Sequence, residues 1–363
     1  MPRQGQGSAG RQSAAGNATI RDVARRAGVS VATVSRVLNG SGPVRELTRQ
    51  GILEAARELR FTPNASAQNL SNRRTTAIGV VLPDLYGEFF SELLRGADRM
   101  AQRHGRHLLV SSSHHGADGI AAALRTMHGR VDGLIVMAPD IPVSAVIDGL
   151  PDGVGTVMLN CEAPPSGADS GRIRRLGIDN FGGAVAMVRH LAAAGHQRIA
   201  FIAGAEHNED AAERHRGYLA AMHEHGLDTP SVYQPRGDFT EAGGHSAAQL
   251  LLSQSPMPTA IFAANDIMAL GALVWLREQH VRVPDDIAVV GFDDIPTARY
   301  VSPPLTTVAV DVTTLGERAV TLLLHEMTEP QFGGDDAHRV AHHEVLPTAL
   351  VVRASCGAAL PPP

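Results

Sequence analysis

The chain has 363 residues, 44 % of them apolar, which exceeds one ordinary domain and is enough for two or three. No apolar run reaches the roughly 18 residues of a membrane-spanning helix, and the two cysteines, Cys161 and Cys356, lie too far apart in sequence to imply a disulfide framework, so a reducing cytoplasm is expected. The formal charge of −5 is unevenly spread: residues 1–76 hold 12 arginines against 4 acids, residues 77–363 hold 20 against 33, and lysine is absent, so one end suits a polyanion and the body does not.

Residues 1–17 are rich in Gly, Gln, Ser and Ala, contain no apolar core segment, and read as a disordered tail with no signal peptide. Residues 18–61 read as three short helices. Thr19 and Asp22 form a capping-box pattern at the start of the first, whose apolar face is Ile20, Val23, Ala24 and Ala27. Gly28 allows a sharp turn, and Ser30 can cap a second helix ending near Asn39. Leu47, Ile52, Ala55, Ala56 and Leu59 are expected on the core face of a third, which Gly51 weakens. Residues 62–76 are a hinge by composition, with a short helical candidate from Ala65 to Leu70. From Ala77 onward apolar strand-like runs alternate with amphipathic stretches. The runs are Ala77–Leu82, His107–Ser111, Gly133–Met137, Thr156–Leu159, Arg198–Ala203, Thr259–Ala263 and Ile287–Phe292; the stretches include Phe89–Arg103, Gly182–Ala194 and Ile267–Gln279. That alternation implies parallel sheets covered by helices, and the length favours two α/β lobes. Residues 354–363 are expected to fray.

Two helices joined by a Gly turn make a helix-turn-helix, whose second helix fits the major groove of B-DNA. On it Val31, Ala32 and Arg36 are placed to meet base edges, Arg36 as a bidentate donor to guanine and the two small apolar residues at thymine methyls. Thr33, Ser35 and Asn39, with Thr19 at the first helix, suit phosphate contacts that fix register. Spacing alone leaves a plain three-helix bundle with a solvated arginine face equally open.

The run Ala18 to Asn39, ATIRDVARRAGVSVATVSRVLN, closely resembles the headpiece of the LacI/GalR family of bacterial repressors, and the resemblance extends to about residue 352. It implies a small all-α helix-turn-helix domain joined by a hinge helix to a two-lobed α/β domain like the periplasmic binding proteins. In such a protein two hinge helices meet over the minor groove and wedge a leucine between base pairs; Asn64, Ala67 and Leu70 fall on that pattern, with Leu70 as the wedge. Three positions depart from it: Arg60 stands where the family usually has Gly, Phe61 where it has Tyr, and Gln68 where it has Arg. The resemblance also implies lobes that are discontinuous in sequence: about 77–178 with 311–335, and about 179–310 with 336–353.

The same resemblance places an effector in the cleft between lobes, at the C-terminal ends of strands. It implies contacts from Phe89 and Phe90, Asn160, Asn208 and Asp210, Arg214 of the pattern Arg-x-x-Gly-Tyr218, Phe239 as a stacking ring, Asn265 and Asp266, and Asp293. Asp, Asn and Arg can bind neighbouring hydroxyls in pairs, and an aromatic face packs on a pyranose, so a sugar is the expected effector, with nucleobases still open. Each residue also has a structural use: Asn160 and Asn265 as loop caps, Asp293 as a turn former, Phe89 in the core.

No phosphate-binding Gly-rich loop with lysine, nucleophile elbow or Cys-x-x-Cys pair occurs, and the 17 histidines form no convincing ligand set, so no cofactor, metal or catalytic residue is expected. The expected partners are pseudo-palindromic operator DNA, a second copy of the chain in a homodimer, and a small effector, with no membrane involved. A sugar-capturing protein without DNA activity, or an enzyme acting on sugars, fits the basic N-terminal module and the lack of an acid–base pair less well.

Overall fold

In the computed structural model of the chain, residues 18–38, 42–61, 75–113, 116–151, 153–161, 173–328 and 343–357 are described. Contacts divide the chain into two units, Met1–Thr75 and Thr76–Pro363. Asn39, the hinge residues Asn64, Ala67 and Leu70, and Gln68 lie outside the described residues.

In the first unit, α1 (Ile20–Ala27), α2 (Val31–Leu38) and α3 (Glu46–Glu58) pack around Val23, Val34 and Ile52, all fully buried. The Asp22 carboxylate accepts from the Thr19 N–H at 3.0 Å and the Thr19 hydroxyl at 2.6 Å. These bonds tie down the first turn and hold the Asp22 carboxyl below its usual range. Gly28 ends α1 at φ 65°, and Val29 donates back to the Ala24 carbonyl at 3.0 Å, which turns the chain sharply into α2. Ser30 Oγ accepts from the Thr33 N–H at 3.2 Å and so caps α2. Leu47 departs from its expected place on the core face and is 85 % exposed. The buried stripe of α3 is Ile52, Ala55 and Ala56, and five helical residues put Leu47 about 140° away from Ile52. Arg60 adopts φ 48° while Phe61 donates to the Ala56 carbonyl at 2.9 Å, so the left-handed end that glycine normally supplies is held here by an arginine.

The second unit contains two sheets. The first runs β10-β5-β4-β3-β1-β2, all parallel, with β1 (Ala77–Leu82), β2 (His107–Ser112), β3 (Gly133–Met137), β4 (Gly155–Leu159), β5 (Ile173–Ile178) and β10 (His343–Leu346). The second runs β11-β9-β8-β7-β6, with β6 (Ile199–Ile202), β7 (Ala260–Ala263), β8 (Ala288–Asp293) and β9 (Thr306–Ala309) parallel and β11 (Ala349–Val351) antiparallel. The central strands are buried on both faces, as parallel strands covered by helices must be. The first sheet is covered by α4 (Glu88–Arg103), α5 (Ala117–Met127), α6 (Val143–Gly149) and α11 (Val312–Thr328), the second by α7 (Asn180–Ala193), α8 (Glu209–Glu224), α9 (Glu241–Leu252) and α10 (Asp266–Glu278).

The chain crosses between lobes at Asp179, after β5, and returns before α11, which packs on α4, β3 and β4. The third crossing falls at residues 347–348, between β10 in the first sheet and β11 in the second, and not at the expected boundary near 335–336. Residues 343–346 therefore belong to the first lobe. β10 is an edge strand of four residues, with Val345 48 % exposed, so its sequence carries no apolar run to announce it. Residues 354–357, expected to fray, pack on the second lobe: Ser355 and Cys356 are buried, and Ser355 Oγ accepts from the Thr306 N–H at 2.8 Å while donating to the Val289 carbonyl at 2.5 Å.

Gly51 lies inside α3 with nothing within 4 Å of where a Cβ would stand. Gly51→Ala is expected to stabilise the headpiece by about 1 kcal/mol through helix propensity alone. Slower amide exchange along α3 would register this; unchanged or faster exchange would contradict it.

Candidate functional site

On the headpiece, Val31, Ala32 and Arg36 all project from α2 as exposed side chains, Val31 at 41 %, while Val34 and Val37 on the opposite face are buried. The helix thus offers one apolar–arginine face while its other face holds the bundle together. Thr33 is partly buried and its hydroxyl shares a 2.8 Å hydrogen bond with that of Ser30. Ser35 is half-buried, and the Thr19 hydroxyl donates to Asp22.

In the second unit a polar chain runs across the lobe boundary. Asn160 closes β4 at φ 47° and Asp293 closes β8 at φ 113°, left-handed conformations for non-glycine residues at the C-terminal ends of strands. Asn160 Nδ2 donates to Asp210 Oδ2 at 3.1 Å; Asn180 Nδ2 donates to Asp210 Oδ1 at 2.8 Å; Arg214 Nε donates to Asn180 Oδ1 at 2.8 Å. Arg214 Nη1 donates to the Ala264 carbonyl at 2.6 Å, and Nη2 lies 3.1 Å from Asp293 Oδ1. Its guanidinium carbon also sits 3.9 Å from the centre of the Phe292 ring. All five polar residues are more than nine-tenths buried. Two acceptor atoms in this group, Asn160 Oδ1 and Asp293 Oδ1, have no hydrogen bond; the ion contact from Arg214 does not reach Asp293 in hydrogen-bond geometry.

Burial is the largest influence on both acids: it raises Asp210 and pushes Asp293 up to about 6, against the opposing pull of Arg214. Asp266 is raised well above the usual range by burial and by the charge of Asp293. Its carboxylate accepts from the Thr307 hydroxyl at 2.5 Å and the Ile295 N–H at 2.9 Å inside the second lobe, so it braces β8 and β9 and does not reach toward a ligand.

The remaining expected contacts divide. Asn265 Oδ1 caps α10 through the Met268 N–H at 2.9 Å, leaving its Nδ2 at 3.4 Å from the Phe239 carbonyl. Asn208 Oδ1 caps α8 through the Ala211 N–H at 3.0 Å. Phe239, at φ 66°, lays its ring against Gly204, where any Cβ would collide with it. Phe89 and Phe90 are half-buried, pack edge to face at 5.5 Å, and lie on the main core. The geometry therefore gathers Asn160, Asp210, Arg214 and Asp293 into one group, sets Phe239 and Asn265 together at 3.4 Å, and gives Asn208 and Asp266 structural work.

Asn180 is the residue that sequence reasoning missed. It opens α7 directly after the crossing at Asp179 and links Asp210 to Arg214, one turn apart on α8. A polar residue at the first helical position after a strand was the available signal. Three further bonds close the lobes on each other: Glu209 N–H donates to the Pro139 carbonyl at 2.9 Å, and Thr297 donates to the Glu88 carboxylate through its N–H at 2.9 Å and through its hydroxyl. Cys161, Glu209 and Ala211, neighbours in sequence of the Asn160–Asp210 bond, line a cavity of about 900 Å³. Among the described residues no group of three or more His, Cys, Asp or Glu could hold a metal ion, and no helix is long and apolar enough to cross a membrane.

The raised Asp293 has a measurable consequence. A carboxyl on an unfolded chain titrates near ~3.9, so between there and about 6 the folded protein keeps a proton that the unfolded chain has lost. Stability from this group is therefore lost as pH rises through that window and is flat above it. Relative to the parent, Asp293→Asn is expected to gain up to about 3 kcal/mol between pH ~4 and ~6.5 in urea unfolding. A constant difference across that range would contradict the burial of an ionisable Asp293.

Comparison with known proteins agrees with this architecture. Residues 19–64 match the model of the bacterial regulatory proteins of the lacI family, and residues 188–356 match a periplasmic binding protein-like domain. The transcriptional regulator GalS of Salmonella typhimurium is 38 % identical over 84 % of this chain and 89 % of its own length. The ribose operon repressor of Escherichia coli K12 is 37 % identical over 86 % of this chain and 94 % of its own. A crystal structure of the lac repressor dimer bound to operator and the anti-inducer ONPF superposes with a TM-score of 0.81 at 30 % identity, covering 94 % of this chain and 99 % of that one. These relatives are transcriptional regulators and not enzymes. With a DNA-binding helix-turn-helix at one end and an effector-type α/β domain at the other, the chain belongs to the LacI family of bacterial transcriptional regulators.

Proposed function

We propose that the chain is a dimeric repressor that reads a pseudo-palindromic operator and whose hold on it is set by a sugar bound between the two lobes. The observation that carries this is the buried group of Asn160, Asp210, Arg214 and Asp293, drawn from both lobes and retaining two unbonded acceptors. A buried polar atom without a partner is costly, by about 1–3 kcal/mol, and a hydroxyl-rich ligand supplies the missing donors. Phe239 beside Asn265 offers a ring for the apolar face of a pyranose.

Control follows from where these residues sit. A ligand bonded to Asp293 touches the second lobe, while Asn160 belongs to the first, so occupancy changes the balance between open and closed lobes. In the dimer that balance sets how the two first lobes meet, and with them whether paired hinge helices form over the operator centre, bringing Asn64, Ala67 and the Leu70 wedge to the minor groove. Thr19, Thr33, Ser35 and Asn39 fix the headpiece on phosphates, and Val31, Ala32 and Arg36 read bases.

The test is operator affinity by fluorescence anisotropy, using a duplex recovered by selection from a randomised pool. Arg36→Ala is expected to weaken binding by about 5- to 150-fold, the equivalent of ~1–3 kcal/mol for a bidentate base contact, and to relax preference at one base pair. The melting of the effector domain should stay where it was. Unchanged affinity and unchanged preference would overturn the assignment of α2 as the reading helix.

A further inference from the structure

From the balance of donors and acceptors in the cleft, we infer that the effector is an uncharged or cationic molecule rich in hydrogen-bond donors, and that sugar phosphates and sugar acids are rejected. This rests on the proposal that the cleft between the lobes is the effector site. Arg214 is the one cation in the polar group, and each of its three nitrogens is already directed at a protein acceptor: Asn180 Oδ1, the Ala264 carbonyl and Asp293. Phe292 covers a face of the same guanidinium. Against it stand two buried carboxylates, Asp210 and Asp293. Both Asp210 oxygens accept amide N–H groups, as an ionised carboxylate does. Even with one of the two protonated, the group carries no surplus positive charge.

The unbonded atoms point the same way. Asn160 Oδ1 is an acceptor with no hydrogen bond and Asp293 Oδ1 has only the 3.1 Å ion contact from Arg214, so both can take O–H or N–H donors from a ligand. A phosphate or carboxylate brings only acceptors, and would set its charge against Asp293 in a water-poor site where such repulsion costs several kcal/mol. A hydroxyl or an ammonium satisfies both atoms.

The arginine on the wall of the adjoining cavity is likewise already engaged. On that wall Arg236 pairs with Glu206 at 2.8 Å, and Glu209 pairs with Arg216 at 3.3 Å. His207 and His215 also line it, and they carry positive charge only when protonated.

The experiment uses the full-length chain and two sets of probes. In the first, inorganic phosphate is titrated against chloride at matched ionic strength while the melting of the effector domain is followed. The parent protein is expected to show no phosphate-specific shift, and Asp210→Asn/Asp293→Asn to gain one. Phosphate-specific stabilisation of the parent that disappears in Arg214→Ala would overturn the inference; because it is read on the parent, this outcome stands even if the double variant does not fold. In the second, matched pairs are compared by calorimetry: glucose with glucose 6-phosphate and glucuronate, ribose with ribose 5-phosphate, adenosine and cytidine with their monophosphates. The neutral member of any pair that binds is expected to be at least about tenfold tighter, corresponding to ~1.4 kcal/mol. Equal or tighter binding of the charged member would overturn the charge rule and leave the cleft as effector site intact. Binding of neutral nucleosides alone would instead remove the sugar assignment and leave the charge rule standing.

Discussion

A single buried cation organises the effector domain. Arg214 is 97 % enclosed, at 3 % exposure, and an unpaired charge in that position would be prohibitive. Everything around it is arranged to compensate: Asp293 at the end of β8, the Ala264 carbonyl after β7, Asn180 from the lobe crossing, and the face of Phe292. Because those partners come from three different segments, Arg214, itself on α8, fixes where β7, β8, α7 and α8 meet. Asn180 then carries the arrangement to Asp210, and Asp210 carries it to Asn160 in the other lobe. One hydrogen-bonded chain therefore joins the two lobes, and the state of any member affects the rest.

The cost of this arrangement is visible in the same residues. Asn160 and Asp293 hold left-handed backbone conformations, two acceptors lack hydrogen bonds, and burial pushes three carboxyls upward. Unfavourable features of this kind concentrate where a protein has kept a site ready for a ligand. The headpiece shows the opposite economy. Its caps, turn and small core are locally satisfied, so α2 is a firm support from which Val31, Ala32 and Arg36 project.

What was legible in the sequence was what local physics decides. The capping residues Thr19 and Ser30 and the turn at Gly28 mark the headpiece helices, and strands buried on both faces show as apolar runs such as Gly133–Met137. β5 was not legible, because Arg174 and Arg175 break its apolar pattern; Arg174 pairs at 2.7 Å with Glu326, a partner 152 residues away. β10 and the position of the third crossing were hidden for a related reason, since an exposed edge strand need not be apolar. Within the cleft the residue types were readable but their orientations were not. Neighbours Asn265 and Asp266 look alike in sequence, yet one caps α10 and lies beside Phe239 while the other is sealed beneath β8. Asn180 was overlooked because its importance lies in two contacts 30 and 34 residues ahead.

Coupling between the cleft and the operator is the claim on which the account stands, and thermodynamic reciprocity gives it a direct test. The affinity of full-length protein for a selected operator duplex should be measured with and without a saturating ligand identified by its shift in melting temperature, in the parent and in Arg214→Ala. The account expects a change of at least about fivefold in the parent, an equal change in ligand affinity when operator is present, and no ligand response in the variant. Operator affinity that is the same with and without bound ligand in the parent would contradict it.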